Sequence, residues 1–282
     1  MAIKLLADSC LDTTPQLREQ LDIDLVPLFI YPREGVEFID DLNLDVKALL
    51  SEMSASREAT RTACPSVEEY ARRMAQYDEC IVITLSSKLS GSYNAARLAR
   101  DMVVAEHPEK KVYVVDSESA ASGELRIALF IDELRGVGAD FDTVVTKVSG
   151  FVRSMRTLFV LEDLSNLVKN GRMSKVKGLA ASVLSLHPVL SDDGAGEIKQ
   201  LSVVRGIKNA LSRLVDIIAE LTVGESNKSR LVTVSYCNCP QRAEDLKYDI
   251  LTRCHAIREV ILAPTAGIST VYANNGGVVV AL

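Results

Sequence analysis

Short apolar runs alternate with amphipathic stretches along the first half of the chain. Four runs are typical of buried strands: IKLLADS, IDLVPLFIY, ECIVITL and KKVYVVDS. Helical patterns lie between or after them: TTPQLREQL, LDVKALLSEM, SVEEYARRMAQY, YNAARLARDMVVAE and ALFIDELRG. Strands that alternate with helices of this length predict a parallel sheet with helices packed on its faces.

The second half of the chain has a different pattern. RTLFVLEDLSNLVKNGRMSKVKGLAASVLSL predicts a strand followed by helices, HPVLSDDGAGEIKQLSVV predicts two strands around a glycine-containing turn, and GIKNALSRLVDIIAEL predicts an amphipathic helix. Further strands are predicted at SRLVTVSY, AIREVILAP and GGVVVAL, with a helix near 240–252. Hairpins mixed with helices favour a separate α+β lobe, which begins near residues 150–160.

Polar residues follow three of the predicted strands. They are Asp8 and Ser9, Ser86 and Ser87, and Asp116 and Ser117. Ligands of open α/β sheets bind at the carboxyl edge of the strands. We therefore expect these three strand ends to face one crevice.

The stretch ITLSSKLSGSYNAARLAR, residues 83–100, has four serines in seven residues where a strand pattern meets a helical one: Ser86, Ser87, Ser90 and Ser92. A cap or a turn explains any one of them. Hydroxyls and the free N–H groups of a helix start also bind a carboxylate or a phosphate. Because hydroxyls recur at successive strand ends, the sequence favours an anion-binding crevice.

Composition narrows the class of protein. The chain has 282 residues, 48% of them hydrophobic, a net charge of −6 and no tryptophan, which argues against a nucleic-acid binder. No apolar run approaches the roughly 18 residues of a spanning helix, so we expect a soluble cytoplasmic protein.

The six cysteines are scattered, which indicates free thiols and no metal site. Residues 150–215 carry a net charge of +5, either a solvated face or a docking surface for an anion or an acidic partner.

Motifs for nucleotide binding and covalent catalysis are absent from the sequence. It contains no P-loop, no dinucleotide fingerprint and no nucleophile elbow, so we predict no cofactor and no catalytic residue. His107 and His187, each followed by proline, are interpreted as helix-end residues. Two alternatives stay open: an enzyme that acts directly on a small phosphorylated or carboxylated substrate, and an interaction module whose serines are only caps.

Several segments in order resemble the DegV family, the fatty-acid-binding proteins of bacterial fatty acid kinase systems. They are ADSCLD, TACPS, LSSKLSGSYNAA, VDSESAASGE and LVKNGRMSKVKGLAASVLSLHPVL, and the similarity runs through nearly the whole chain. The family's Thr-Ser-Gln-Pro-Ser loop has Ala63 and Cys64 here. Tyr272 aligns with the histidine of the family's C-terminal motif.

The resemblance implies an α/β fold in two lobes, with the ligand between them. An α/β/α lobe with a parallel sheet would span residues 1–155, and a smaller α/β lobe with a mixed sheet would span residues 156–282. The resemblance also implies a carrier, not an enzyme, that presents the carboxylate of a long-chain fatty acid to a separate ATP-dependent kinase subunit. Peripheral contact with a membrane would allow ligand exchange.

The head group of that fatty acid is expected at five residues: Thr62, Ser90, Gly91, Ser92 and Tyr272. Thr62 and Ser90 would supply hydroxyls, and the amides of Gly91 and Ser92 would open a helix toward the carboxylate. Tyr272 would either donate one hydrogen bond or only pack beside a turn. Arg172 is expected either to cap a helix C-terminus or to contact the kinase or the acyl phosphate.

Overall fold

The computed structural model describes residues 3–56, 58–173, 185–225 and 228–282. In the first half its strands are β1 (Lys4–Asp8), β2 (Ile23–Val26), β3 (Phe29–Arg33), β4 (Val36–Ile39), β5 (Arg61–Ala63), β6 (Glu79–Thr84) and β7 (Lys111–Asp116). In the second half they are β8 (Thr157–Val160), β9 (Leu186–Asp192), β10 (Ile198–Arg205), β11 (Arg230–Tyr236), β12 (Ile257–Pro264) and β13 (Val278–Ala281).

Helices lie between the strands in both halves. Those before residue 155 are α1 (Pro15–Leu21), α2 (Val46–Ala55), α3 (Val67–Met74), α4 (Ser92–Glu106), α5 (Ser122–Gly136) and α6 (Phe141–Ser154). Those after it are α7 (Ser165–Lys169), α8 (Ile207–Leu221), α9 (Pro240–Arg253) and α10 (Gly267–Ala273). The second helix predicted after β8 falls on residues 174–184, which lie outside the described residues, as do Lys175 and Lys177 of the basic segment.

A four-stranded parallel sheet in the order β2–β1–β6–β7 forms the centre of the first half, as the sequence predicts. Leu5 of β1 pairs with Ile23 on one side and with Ile81 on the other, so apolar residues run across the sheet in register. The helix starts are also as predicted. The hydroxyl of Thr14 accepts a hydrogen bond from the N–H of Leu17, and that of Ser66 accepts from Glu69.

The prediction of one strand at IDLVPLFIY is wrong, because the chain changes sheets at Pro27. Proline has no N–H for the strand ladder, and the next N–H, that of Leu28, donates to Ser9 Oγ at 3.0 Å. The chain resumes as β3, which pairs antiparallel with both β4 and β5. The segment expected to be a loop at Thr62 therefore lies partly in a strand of a small third sheet.

The second half contains a six-stranded mixed sheet in the order β10–β9–β8–β13–β11–β12, as expected. Only β11 and β12 are parallel neighbours, and the other pairs are antiparallel. The interpretation of His187 as a helix-end residue is wrong, since it lies in β9 opposite Val204. The boundary at residue 155 stays a prediction.

Helix α5 connects the parallel sheet to the mixed sheet. Most of its residues are buried, and its side chains share one apolar cluster with Leu5 of β1 and Leu231 of β11. The hydroxyl of Thr233 donates to the carbonyl of Ser122 at 2.7 Å. No helix in the described ranges has the length and apolar character needed to cross a bilayer.

Candidate functional site

A cavity of about 360 Å³ is lined by residues from both halves of the chain. Most of its wall is hydrocarbon, including the side chains of Leu28, Leu85, Phe159, Leu161, Ile198 and Ile268. An apolar wall with few polar groups suits an alkyl chain, because burying each methylene is favourable and costs no hydrogen bond.

Five of the six predicted site residues line this cavity: Thr62, Ser90, Gly91, Arg172 and Tyr272. We call them the head cluster. The hydroxyls of Thr62 and Tyr272 are 3.1 Å apart and hydrogen-bonded. The guanidinium of Arg172 lies 5.9 Å from the ring centre of Tyr272, and its Nε donates to the carbonyl of Leu89, the neighbour of Ser90, at 3.2 Å. Chemically, the cluster offers three hydroxyls and one permanent positive charge.

Four separate elements bring the head cluster together. Thr62 lies in β5, Ser90 and Gly91 stand directly before α4, Arg172 follows α7, and Tyr272 lies near the end of α10. Gly91 suits a crowded position, because a Cβ there would lie 3.3 Å from the sulfur of Cys64, another lining residue. The short helix α10, which carries Tyr272, is not predicted by the sequence pattern.

Arg172 has the environment of a helix end as well as a place in the cavity wall. Its Nη1 donates to the carbonyl of Asn170, the residue that follows α7, at 2.7 Å. The side-chain Nδ2 of Asn170 donates to the carbonyl of Thr60 at 2.9 Å, which connects the end of α7 to the segment before β5. The two interpretations of Arg172 are therefore geometrically compatible.

Ser92 is placed differently from the sequence prediction. Its side chain is fully buried, its hydroxyl donates to the carboxylate of Asp8, and it lies 2.6 Å from the hydroxyl of Tyr70. Its N–H donates to the hydroxyl of Ser90 at 3.2 Å. Ser92 is not among the lining residues, and its hydroxyl and N–H both have partners inside the protein.

The polar strand ends mainly join the strands to one another. Asp8 accepts hydrogen bonds from the N–H groups of Leu85 at 2.9 Å and Cys10 at 3.2 Å, and from Ser92. We call Asp8, Tyr70, Ser92 and the Leu85 amide the strand-end network. Ser86 donates to the carbonyl of Gly196 at 2.9 Å and does not line the cavity. Of the four serines at residues 86–92, only Ser90 does.

Asp8, Cys10 and Glu124 form a buried group whose potential ligand atoms all lie within 4.8 Å of one another, close enough for a metal ion. Burial raises the pKa of Glu124 well above its usual range and also raises the pKa of Cys10. Within the group, Asp8 accepts hydrogen bonds from the N–H groups of Leu85 and Cys10 and from the hydroxyl of Ser92. Proximity alone does not make these residues a metal site, so the expected absence of a metal stays a prediction.

A second polar group lines the cavity: Glu118, Ser119, Thr157 and Asp192. We call it the acidic cluster. The hydroxyls of Ser119 and Thr157 are 2.6 Å apart, and the N–H of Thr157 donates to Asp192 at 2.7 Å. Burial and the nearby Asp116 raise the pKa of Glu118. No sequence pattern predicts this cluster, because it forms only where β8 and β9 meet the loop after β7.

A family model described as an uncharacterised protein of the DegV family matches residues 2–282. The chain belongs to the DegV family. A DegV domain-containing protein of Streptococcus pneumoniae is 31% identical over 284 residues, which cover 98% of this chain and 97% of that protein.

Solved structures of DegV proteins share the fold over almost their whole length. A DegV protein of Ruminococcus gnavus, refined with vaccenic acid, is 34% identical with a TM-score of 0.94, covering 100% of this chain and 99% of that one. A DegV protein of Eubacterium eligens loaded with heptadecanoic acid is 27% identical with a TM-score of 0.89 and covers 99% of each chain. The fatty acid kinase (Fak) B3 protein of Streptococcus pneumoniae, loaded with linoleic acid, is 28% identical with a TM-score of 0.86, covering 100% and 99%.

Proposed function

We propose that this DegV protein binds one long-chain fatty acid in the cavity, with its carboxylate at the head cluster. The observation that carries the proposal is the combination of apolar walls with the linked contacts of Thr62, Tyr272 and Arg172. The fatty acids named for three similar structures support the same class of ligand.

The alkyl chain supplies most of the favourable free energy. A 16-carbon acid has about 14 methylenes, and burying them contributes roughly 0.8 kcal/mol each, or about 11 kcal/mol in total. The cost of association and of ordering the chain offsets part of this sum.

The head group determines orientation. A buried carboxylate is costly unless donors satisfy it, and the hydroxyls of Thr62, Ser90 and Tyr272 lie where they can donate. The positive charge of Arg172 favours an anion at this cluster, whereas the carboxylates of Glu118 and Asp192 disfavour one at the acidic cluster. The fatty acid should therefore bind in one direction only.

The bound carboxylate would then be presented to a separate ATP-dependent kinase subunit, which forms the acyl phosphate. The chain would act as a carrier in the cytoplasm and would contact membranes only peripherally, during ligand exchange. The relation to a protein named as part of fatty acid kinase supports this role at the level of the family. Arg172 is only half-buried in the cavity wall, so a partner can reach it.

The presentation step is tested with the variant Arg172→Ala. The measurement is the rate at which a bacterial fatty acid kinase phosphorylates palmitate bound to the variant. We expect the variant to bind palmitate and to lose most kinase-dependent phosphorylation. Arg258→Ala is the matched control, because Arg258 pairs with Glu133 away from the cavity and should keep full phosphorylation.

Two results would contradict this role. Full phosphorylation of palmitate bound to Arg172→Ala would show that Arg172 is not needed for presentation and acts only at the end of α7. Conversion of palmitate by the parent protein without the kinase would instead favour an enzyme that acts directly on a carboxylated substrate.

A further inference from the structure

Asp40 directly follows β4, is only 2% exposed and accepts three hydrogen bonds. One carboxylate oxygen accepts from the N–H of Gly267 at 2.7 Å. The other accepts from the N–H of Ile268 at 2.8 Å and from the hydroxyl of Ser9 at 2.9 Å. Asp40 therefore binds the start of α10, more than two hundred residues away in the sequence.

Helix α10 depends on residues from the first half of the chain for its N-terminal cap. Its own N-cap residue, Ala266, has no capping side chain, and the N–H of Ala266 donates to Asp12 at 2.7 Å. The approach of Asp40 also requires glycine at position 267. A Cβ there would lie 2.6 Å from Asp40 Oδ1 and 2.7 Å from Ile30 Cδ1.

The small three-stranded sheet connects Asp40 to the head cluster. Strand β3 pairs with β4 on one side and with β5 on the other, so Ile30 lies opposite both Phe38 and Thr62. The N–H of Asp40 donates to the carbonyl of Leu28, which fixes Asp40 at the end of this sheet. Thr62 thus lies in the sheet that Asp40 terminates, and Tyr272 lies on the helix that Asp40 caps.

We propose that Asp40 is a positioning residue for head-group recognition, because it holds α10 against the three-stranded sheet and so keeps the hydroxyls of Tyr272 and Thr62 together. This inference rests on the proposed fatty acid function. Asp40 is not among the residues that line the cavity, so it acts through α10 and not through contact with the ligand.

The three groups that face Asp40 are all hydrogen-bond donors, so the position calls for a side chain that only accepts. Asn has nearly the same shape as Asp, but one of its two polar ends is an NH₂ group. In Asp40→Asn the NH₂ group would face a donor in either orientation of the side chain. In one orientation it would face the N–H of Gly267, and in the other it would face the N–H of Ile268 and the hydroxyl of Ser9. The helix start should then move away from the sheet, and Tyr272 should move with it.

The test compares two probes with the same tail, palmitate and hexadecanol, by competition against a fluorescent fatty acid. Asp40→Asn should weaken palmitate binding about tenfold, as expected for the loss of one hydrogen bond to a charged group. Binding of hexadecanol should change less than about twofold, since its uncharged head needs the aligned hydroxyls much less. The matched control is Asp140→Asn, because Asp140 caps α6 through the N–H of Thr143 away from the site.

A double-mutant cycle with Tyr272→Phe gives a second readout. If Asp40 acts through Tyr272, the loss in palmitate affinity caused by Asp40→Asn should largely disappear in the Tyr272→Phe background. If Asp40→Asn does not fold, Gly267→Ala keeps the carboxylate but separates it from the helix, and the same selective loss is expected.

An equal loss for palmitate and hexadecanol, or no loss for either, would overturn the inference while leaving the proposed function intact. Fully additive effects in the cycle would also overturn it. Failure of the parent protein to bind palmitate would instead reject the proposed function itself.

Discussion

The head cluster and the strand-end network lie beside each other and contain the same kinds of side chain, yet one lines the cavity and the other is buried in the protein. Ser90 and Ser92 show the difference most directly. Ser90 lines the cavity, whereas Ser92 is fully buried between the carboxylate of Asp8 and the hydroxyl of Tyr70. A hydroxyl that is fully buried among protein partners stabilises the fold, whereas one that faces a cavity can also reach a ligand.

The two regions are also coupled. The N–H of Ser92 donates to the hydroxyl of Ser90 at 3.2 Å, and Asp8 holds the N–H of Leu85 at the end of the preceding strand. The strand-end network therefore fixes the start of α4, from which Ser90 and Gly91 reach the cavity. Substitutions in the network should lower stability, whereas substitutions in the head cluster should lower affinity.

Asp8→Ala should give the largest effect, a loss of about 3–5 kcal/mol in the free energy of unfolding, because three buried donors lose their acceptor. Chemical denaturation monitored by circular dichroism measures it. The matched control is Asp78→Ala, which removes an exposed carboxylate 3.6 Å from Lys110 and should cost about 1 kcal/mol or less. Equal losses for the two variants would contradict a stabilising role for the strand-end network.

Thr62→Ala combined with Ser90→Ala should lower the affinity for palmitate by about 3 kcal/mol, the equivalent of two hydrogen bonds to a carboxylate. The free energy of unfolding should change by only about 1 kcal/mol, because both side chains are only partly buried. Calorimetric titration and denaturation measure the two quantities. Ser87→Ala serves as the control, since Ser87 does not line the cavity. An unchanged affinity in the double variant would indicate that the carboxylate binds in another part of the cavity.

Alkylation of Cys64 should report occupancy of the head cluster without any substitution. Cys64 lines the cavity beside Gly91, so bound palmitate should slow its reaction with iodoacetamide by about tenfold, since the thiolate must be reached by the reagent. Cys239 is the internal control. It is also half-buried, burial raises the pKa of both thiols, and it does not line the cavity. Equal rates for Cys64 with and without palmitate would contradict a head group at this position.

Local patterns of the sequence are sufficient to predict most strands, several helix starts and the two main sheets. The apolar runs of β1, β6 and β7 and the caps at Thr14 and Ser66 are local features, and the structure confirms them. Pro27 was the visible sign that IDLVPLFIY is two strands. The apolar residues on both sides of Pro27 give the run the appearance of one continuous strand.

The site could be predicted only in part. The resemblance to the DegV family pointed to the residues that meet in the head cluster, but it could not separate Ser90 from Ser92, because burial depends on Asp8 and Tyr70 from distant segments. No pattern in the sequence indicated that Asp40 or Asp192 belongs to the site. Their roles follow from contacts with α10 and β8, which no local pattern encodes.

Native mass spectrometry of the purified protein, compared with its mass after denaturation, tests the central claim most directly. We predict that the native mass exceeds the denatured mass by one long-chain fatty acid, and that an organic extract contains that acid at about one equivalent per chain. Equal native and denatured masses, with no uptake of added palmitate, would contradict the account.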